Sequence, residues 1–288
     1  MSIITKSVDK KAPLFSKSRL FLILIILLVV FVRLRLMEFP LERDEGEYAY
    51  MGQLILQGIP PYSEAYNMKF PGTYLMYALI MSMFGQTIQG IHLGLLIVNC
   101  TTIVLIYSLG RKIISEFGAT VASGTYALLS LSSSVFGFAA HATHFVVLSA
   151  LGGTLLLLHA LKTEKPLPYF LSGALLGISF LMKQPGIFFF IFGATYLIYY
   201  HISSRPAHST KVIFLKLGAF SLGASLPLLI TVLWLYAAGV LHRFWFWTVV
   251  YASSYGSQIP LSNAFAAFSV VWAAVLSLAA ICAAATVS

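Results

Sequence analysis

Gly72-Thr73-Tyr74-Leu75-Met76-Tyr77-Ala78-Leu79-Ile80-Met81-Ser82-Met83-Phe84-Gly85-Gln86 is the stretch that decides the fold of this chain. It is one apolar run in a series. Every later run inherits its side of the membrane from whether this one crosses. Its 15 residues make a helix of roughly 22 Å, short for a hydrocarbon core of roughly 30 Å. The connectors further on carry Arg111 and Lys112, then Lys162 and Lys165, then Arg205 and Lys211 with nearby Lys216. If 72–86 spans, all three basic connectors fall outside. If it does not, all three fall in the cytoplasm, where basic loops belong. The segment is therefore read as a helix that enters from outside without crossing. Lys and Arg then number 12 inside against 6 outside.

Outward from that stretch the chain keeps one character. Of its 288 residues 59% are hydrophobic and 9% charged, and the mean hydropathy is +0.89. A soluble domain carries roughly 25% charged residues. The fold class is thus all-α, a polytopic transmembrane helix bundle. Further apolar runs lie at 20–32, 88–109, 117–135, 138–161, 167–182, 186–201, 212–236 and 264–286. Residues 1–19 form a basic cytoplasmic tail with Lys6, Lys10, Lys11, Lys17 and Arg19. No small-x-small cleavage site follows the first run, so 20–32 is an uncleaved helix, with Arg33 and Arg35 snorkelling at its outer end. The remainder, 20–288, reads as one multipass domain. The last run stops two residues before Ser288 with no basic flank, as the N-terminal part of a longer protein would.

The net charge of +9 sits in short clusters between apolar runs, which is the pattern of loops and not of a nucleic-acid surface. Cys100 and Cys282 both fall inside apolar runs, so no disulfide framework is expected. Neither CxxC nor His-rich metal spacing occurs. Gly173 and Gly177 form a small-xxx-small pair, a helix-packing signal.

The acid is concentrated. Six of nine Asp and Glu (Glu38, Glu42, Asp44, Glu45, Glu47 and Glu64) lie in the loop 38–69, which this topology puts outside. A carboxylate cluster beside a bilayer is costly unless it is wet or occupied. Within Arg43-Asp44-Glu45-Gly46-Glu47-Tyr48-Ala49-Tyr50, helical spacing puts Asp44, Glu47, Tyr48, Met51 and Ile55 on one face. Gly58-Ile59-Pro60-Pro61-Tyr62 ends that helix. Asp44-x-x-Glu47 has two compatible readings. One is a capping box with Asp44 as N-cap. The other is a general base acting on a hydroxyl, or part of a divalent-cation site. No cofactor is otherwise called for. Lys69 and Lys183 each precede a proline-containing turn on the same outer face. Either alone reads as an interfacial lysine; together, beside a carboxylate, they suit a phosphate. A second outer loop, 237–263, adds His242, Arg243 and the aromatic run Phe244-Trp245-Phe246-Trp247. His141 and His144 read as buried polar groups near an outer turn.

The series Arg-Asp-Glu-Gly-Glu-Tyr-Ala-Tyr, Leu-Gln-Gly-Ile-Pro-Pro-Tyr, Lys-Phe-Pro-Gly-Thr-Tyr, Met-Phe-Gly at 83–85 and Tyr-Ser-Leu-Gly-Arg-Lys at 107–112 resembles the GT-C glycosyltransferases. The resemblance resumes at 173–185 with Gly-Ala-Leu-Leu-Gly-Ile-Ser-Phe-Leu-Met-Lys-Gln-Pro. The branch is that of the protein O-mannosyltransferases and the lipid A aminoarabinose transferase. The resemblance implies inverting transfer of a sugar from a polyprenyl-phosphate donor to a protein, lipid or glycan acceptor. It implies a site on the non-cytoplasmic side of a plasma or inner membrane. The family's loop aspartate falls on Asp44 and its phosphate-binding lysines on Lys69 and Lys183. Glu45, Glu47, Tyr48, Tyr66, His242 and Arg243 are the expected supporting or sugar-binding residues. Two departures stand out. Lys69-Phe70-Pro71 replaces the family's frequent Lys-Pro-Pro, and Glu47 stands where the aminoarabinose enzymes commonly have Arg. The rival from another class is a transporter or flippase of an anionic lipid-linked substrate; matching internal repeats would favour it, and none is seen.

Overall fold

The computed structural model describes residues 17–203, 209–256 and 268–269. Most of the basic tail and most of the run 264–286 thus lie outside the described residues. All regular structure among the described residues is helical. The helices are α1 (Lys17–Arg35), α2 (Arg43–Leu56), α3 (Gly72–Phe84), α4 (Ile88–Ile113), α5 (Glu116–Leu129), α6 (Ala142–Thr163), α7 (Pro166–Met182), α8 (Ile187–Ser203), α9 (Thr210–Ala237) and α10 (Leu241–Trp245). A π-helical turn, Phe246–Tyr251, and α11 (Ala252–Gly256) follow, so the expected second outer loop is helical over most of its described part.

Among the described residues, α4, α6, α8 extended by its preceding turn, and α9 are long and apolar enough to cross a membrane. Their outward side chains are large and apolar. Ile97, Phe188, Phe214 and Leu233 are all exposed, as a lipid-facing surface requires. The protein is an integral membrane helix bundle. α1, α4 and α5 share a core built on Val29, Ile103 and Ala119, each fully buried. α7 and α9 approach so closely that a Cβ on Gly173 would collide with Phe220 O, one on Gly177 with Ala224 O, and one on Gly223 with Phe170 O. The small-xxx-small pair therefore does what its spacing suggests. It lets two backbones touch where no side chain would fit.

α3 is 13 residues long, about 20 Å. Every tie it makes is to one end of the bundle. Thr73 Oγ1 donates to Met182 O at 2.8 Å, Tyr77 OH to Ala140 O at 2.8 Å, and Ile80 packs on Gly94 in the first turns of α4. Gly72 lies directly against Leu181 O, where any Cβ would clash. α2 packs on α3 at the same end through Gly52, which meets Met81 and the α3 backbone. The two short helices together form a cap over the ends of α4, α6 and α7.

Three expectations need correction. Arg33 does not snorkel. It is 5% exposed, and its Nη2 donates to Ser130 O at 2.7 Å and Gly137 O at 2.8 Å. The guanidinium fork suits an irregular segment with spare carbonyls. That segment is the second correction: 117–135 is α-helical only to Leu129, a short 3-10 turn follows at Ser133–Val135, and the next long helix begins at Ala142. Between them Ser130-Leu131-Ser132-Ser133 offers hydroxyls that compete with helical hydrogen bonds. The third concerns the start of α2, where the N-cap is Glu42. Its carboxylate accepts from Asp44 N at 2.8 Å, and Glu45 reaches back to Glu42 N at 2.9 Å. The capping box sits two residues earlier than Asp44 and Glu47, which leaves both of those side chains free of the helix end.

Candidate active site

The capping box and Glu45 set the angle of α2. Glu45 is 1% exposed. Its Oε1 accepts from Ala140 N at 2.6 Å and lies 3.5 Å from His92 Nε2. Its carboxylate is thus committed to holding α2 against the 136–141 segment and α4. It points away from the open face and is not placed to touch a sugar. One residue before it, and two after, Asp44 and Glu47 face the other way.

Both converge on Lys69. Its Nζ lies 3.0 Å from Asp44 Oδ2 and 3.3 Å from Glu47 Oε2. The ammonium also sits 4.6 Å above the Tyr48 ring, a cation–π contact. Tyr48 is buried and packs edge-on to Tyr77. Tyr74 OH donates to Glu47 Oε1 at 3.3 Å. Lys69 is aimed by its own backbone: Tyr62 OH donates to Lys69 O at 2.7 Å. Tyr62 itself has φ +68, an uncommon conformation for a bulky residue. Its burial and this hydrogen bond fix it there.

Charge and burial oppose one another in the cluster. Burial works to raise the Asp44 carboxyl, but the Lys69 ammonium, with Arg43 and His141, outweighs it and holds Asp44 below the usual aspartate range. Burial works to lower Lys69, and Tyr48, Asp44 and Glu47 together keep it above the ordinary lysine value. Burial pushes the Tyr48 phenol up to about 12. At neutral pH Asp44 is therefore a carboxylate and Lys69 an ammonium. Lys69 occupies the space in which Asp44 and Glu47 would share a divalent cation. Among the described residues, no group of three or more His, Cys, Asp or Glu side chains is arranged to hold a metal.

Lys183 joins the cluster through its neighbours. Pro185 stops α7, and Lys183 leaves the helix in an extended conformation. Gln184 Nε2 then donates to Met68 O at 2.7 Å, which locks the Lys183 turn to the Lys69 turn across 116 residues of chain. Burial depresses the His141 imidazole, and the Lys183 ammonium adds to that lowering. Among the described residues Lys183 makes no ion pair, so its charge is unspent.

Behind the lysines lies a cavity of about 770 Å³. Phe70 and Phe180, each one or a few residues from a site lysine, form its near wall and meet edge-on at 5.1 Å. Leu228, Val232 and Phe244 line the rest, and His242 is a polar wall residue. Arg243 Nη1 donates to Ser63 O at 2.6 Å, and Tyr66 stacks on Trp247 at 4.0 Å and 7°. His242 thus lines the cavity, while Arg243 and Tyr66 tie loop 57–71 to α10 and the π-helical turn. They are not part of the carboxylate cluster.

A side chain the sequence did not assign to the site does stand in it. His141, the residue before α6, has Nε2 3.5 Å from Asp44 Oδ2. Its place beside Asp44 depends on Glu45 pinning Ala140, a contact between residues 95 positions apart. No local pattern shows that.

A multipass all-α bundle whose capped end joins an acidic helix to paired lysines over an apolar cavity has the features of a GT-C type membrane glycosyltransferase. More narrowly, the chain belongs to the dolichyl-phosphate-mannose-protein mannosyltransferase family, whose model matches residues 68–234. The matched span contains Lys69, His141 and Lys183 and begins after Asp44. No curated protein and no solved structure matches the chain.

Proposed function

We propose that this protein transfers a sugar from a polyprenyl-phosphate carrier to an acceptor hydroxyl, with inversion at the anomeric carbon, on the non-cytoplasmic face of a plasma or inner membrane. The observation that carries the reading is the position of Lys69. Its ammonium bridges Asp44 and Glu47 at 3.0 and 3.3 Å, and the next residue, Phe70, walls an apolar cavity of about 770 Å³. One turn of chain thus joins a phosphate-binding charge, a base and a place for a prenyl chain.

In this reading Lys183 meets the carrier phosphate first, because its charge is unspent. Lys69 turns from Asp44 toward the phosphate as the donor enters. The acceptor oxygen attacks the anomeric carbon from the face opposite the phosphate. The bond between that carbon and the phosphate oxygen breaks, and its electron pair stays on the phosphate, where both lysines offset the growing charge. The acceptor proton passes to Asp44, which must be ionised beforehand; Lys69 keeps it so. Glu47 retains Lys69 and Tyr74 as partners and stops the lysine from leaving altogether. Family membership favours this chemistry over transport of the same lipid.

The test is transfer by the purified chain in proteoliposomes, using labelled dolichyl- and undecaprenyl-phosphate sugars and a membrane extract as acceptor. Free polyprenyl phosphate and an inverted glycoside are expected. Retained anomeric configuration, or carrier movement across the bilayer with no release of sugar, overturns the reading. A lipid and glycan comparison of a deletion strain by mass spectrometry identifies the acceptor.

A further inference from the structure

We propose that His141 is a positioning residue for Asp44, its imidazole donating Nε2–H toward Asp44 Oδ2 and leaving Oδ1 to the acceptor hydroxyl. This rests on the reading of Asp44 as the base. Four observations carry it. Nε2 is 3.5 Å from Asp44 Oδ2. On the other side of the ring, Nδ1 is 3.1 Å from Thr143 Oγ1, so a hydroxyl donating there fixes the proton on Nε2. The ring is held flat against Phe136 at 6.1 Å and 27°, and Phe136 has φ +53, rare for an aromatic residue. Finally, His141 is the N-cap of α6 yet makes no side-chain capping bond. Its side chain faces Asp44 in place of the helix end.

The 3.5 Å separation is long for a hydrogen bond, and such contacts tighten when substrate binds. There is a reason for tightening here. Lys69 is the close partner of Oδ2 at 3.0 Å. When the carrier phosphate draws Lys69 away, His141 is the remaining group that keeps that oxygen in place. Arg43, which reaches Oδ1 at 3.3 Å, is 91% exposed and readily displaced by an acceptor.

The charged and titratable groups around the imidazole are Asp44, Arg43 and Glu42 at the start of α2, Tyr48 further along α2, Lys69 from the loop, Lys183 from the end of α7 and His144 on α6. Burial, then Lys183 and Lys69, outweigh Asp44 and Glu42 and hold the imidazole below the usual histidine value. It is therefore uncharged at neutral pH and acts on Asp44 as a neutral donor, which lowers the basicity of that carboxylate less than an imidazolium would. As pH falls through its pKa, the imidazolium pairs with Asp44 and lowers its basicity, so turnover falls.

The experiment measures kcat, KM and pH profile for parent, H141Q, H141A and D44N with dolichyl-phosphate-mannose in proteoliposomes, together with the ¹⁵N-histidine NMR titration of parent and D44N in detergent. H141A should lose about 10–100-fold in kcat, the scale of a misplaced reacting group, with the donor KM unchanged. H141Q, which keeps an N–H donor that cannot titrate, should recover most of kcat and lose the histidine limb of the profile. In D44N the His141 resonance should titrate at lower pH than in the parent, because a raising charge is gone. Parent-like kcat and pH profile in both His141 variants, or equal losses in both at unchanged melting temperature, overturns the proposal while the function stands. An unshifted His141 titration in D44N overturns it whatever the activity. A parent that transfers no sugar, beside an expected NMR shift, instead defeats the functional reading.

Discussion

Asp44→Asn separates chemistry from architecture, because the two are carried by different residues of the same helical turn. The helix is capped by Glu42 and Glu45, so Asp44→Asn leaves the cap untouched. Lys69 keeps Glu47 at 3.3 Å, so no ammonium is stranded. What is lost in stability is the ion pair with Lys69, side chains 17% and 26% exposed, with the solvent-exposed Arg43 contact and the 3.5 Å approach of His141 weakened beside it; partly exposed pairs of this kind are worth about 0.2–1 kcal/mol each. What is lost in chemistry is the proton acceptor, typically about 10²–10⁴-fold in rate, or about 3–5 kcal/mol of barrier. The expected variant therefore melts within a few degrees of the parent and transfers sugar at least about 100-fold more slowly. Differential scanning fluorimetry in detergent and release of labelled polyprenyl phosphate in proteoliposomes read the two quantities on one preparation. The parent's turnover should persist well below neutral pH as far as Asp44 alone governs it, because Lys69 keeps that carboxyl ionised. Lys69→Met removes the charge, raises the Asp44 pKa and moves the acid limb upward. A folded Asp44→Asn protein with near-parental turnover would refute the base assignment outright.

Lys183→Met should raise the KM for the donor with a smaller change in kcat, whereas Lys69→Met should alter both, since Lys69 serves Asp44 as well as the phosphate; steady-state kinetics at varied donor distinguish them. Glu45→Ala should cost about 1–3 kcal/mol for the buried donor it orphans, Ala140 N, with a smaller cost at the half-buried Glu42 N, and should lower the melting temperature more than Asp44→Asn does. For sidedness, single cysteines placed at 112, 164 and 184 in a chain lacking Cys100 and Cys282 should react with an impermeant thiol reagent in intact cells at 184 alone. Labelling at 112 or 164 but not at 184 would invert the orientation proposed for the site.

The sequence by itself determined the class of fold, because apolar content and run length are properties of the bilayer as solvent and need no tertiary contact to act. The shortness of 72–86 and the side shared by Lys69 and Lys183 follow from the same rule plus the placement of basic residues. That α7 would pack closely on another helix was legible too, since Gly173 and Gly177 leave a space that a backbone fills; that the partner is α9 was decided by the tertiary structure. Local spacing was less reliable at the start of α2. Two acidic pairs there, Glu42 with Glu45 and Asp44 with Glu47, fit the same capping pattern, and only packing chose between them. Glu45 went to the cap because burial against Ala140 and His92 satisfies it, which freed Asp44 and Glu47 to meet Lys69. Arg33 was taken inward by the unpaired carbonyls of Ser130 and Gly137, partners about a hundred residues away that no pattern within α1 announces. His141 entered the site through the same long-range clasp. Periodicity tells which face a residue lies on; which distant group waits there is decided when buried polar atoms must all find partners at once.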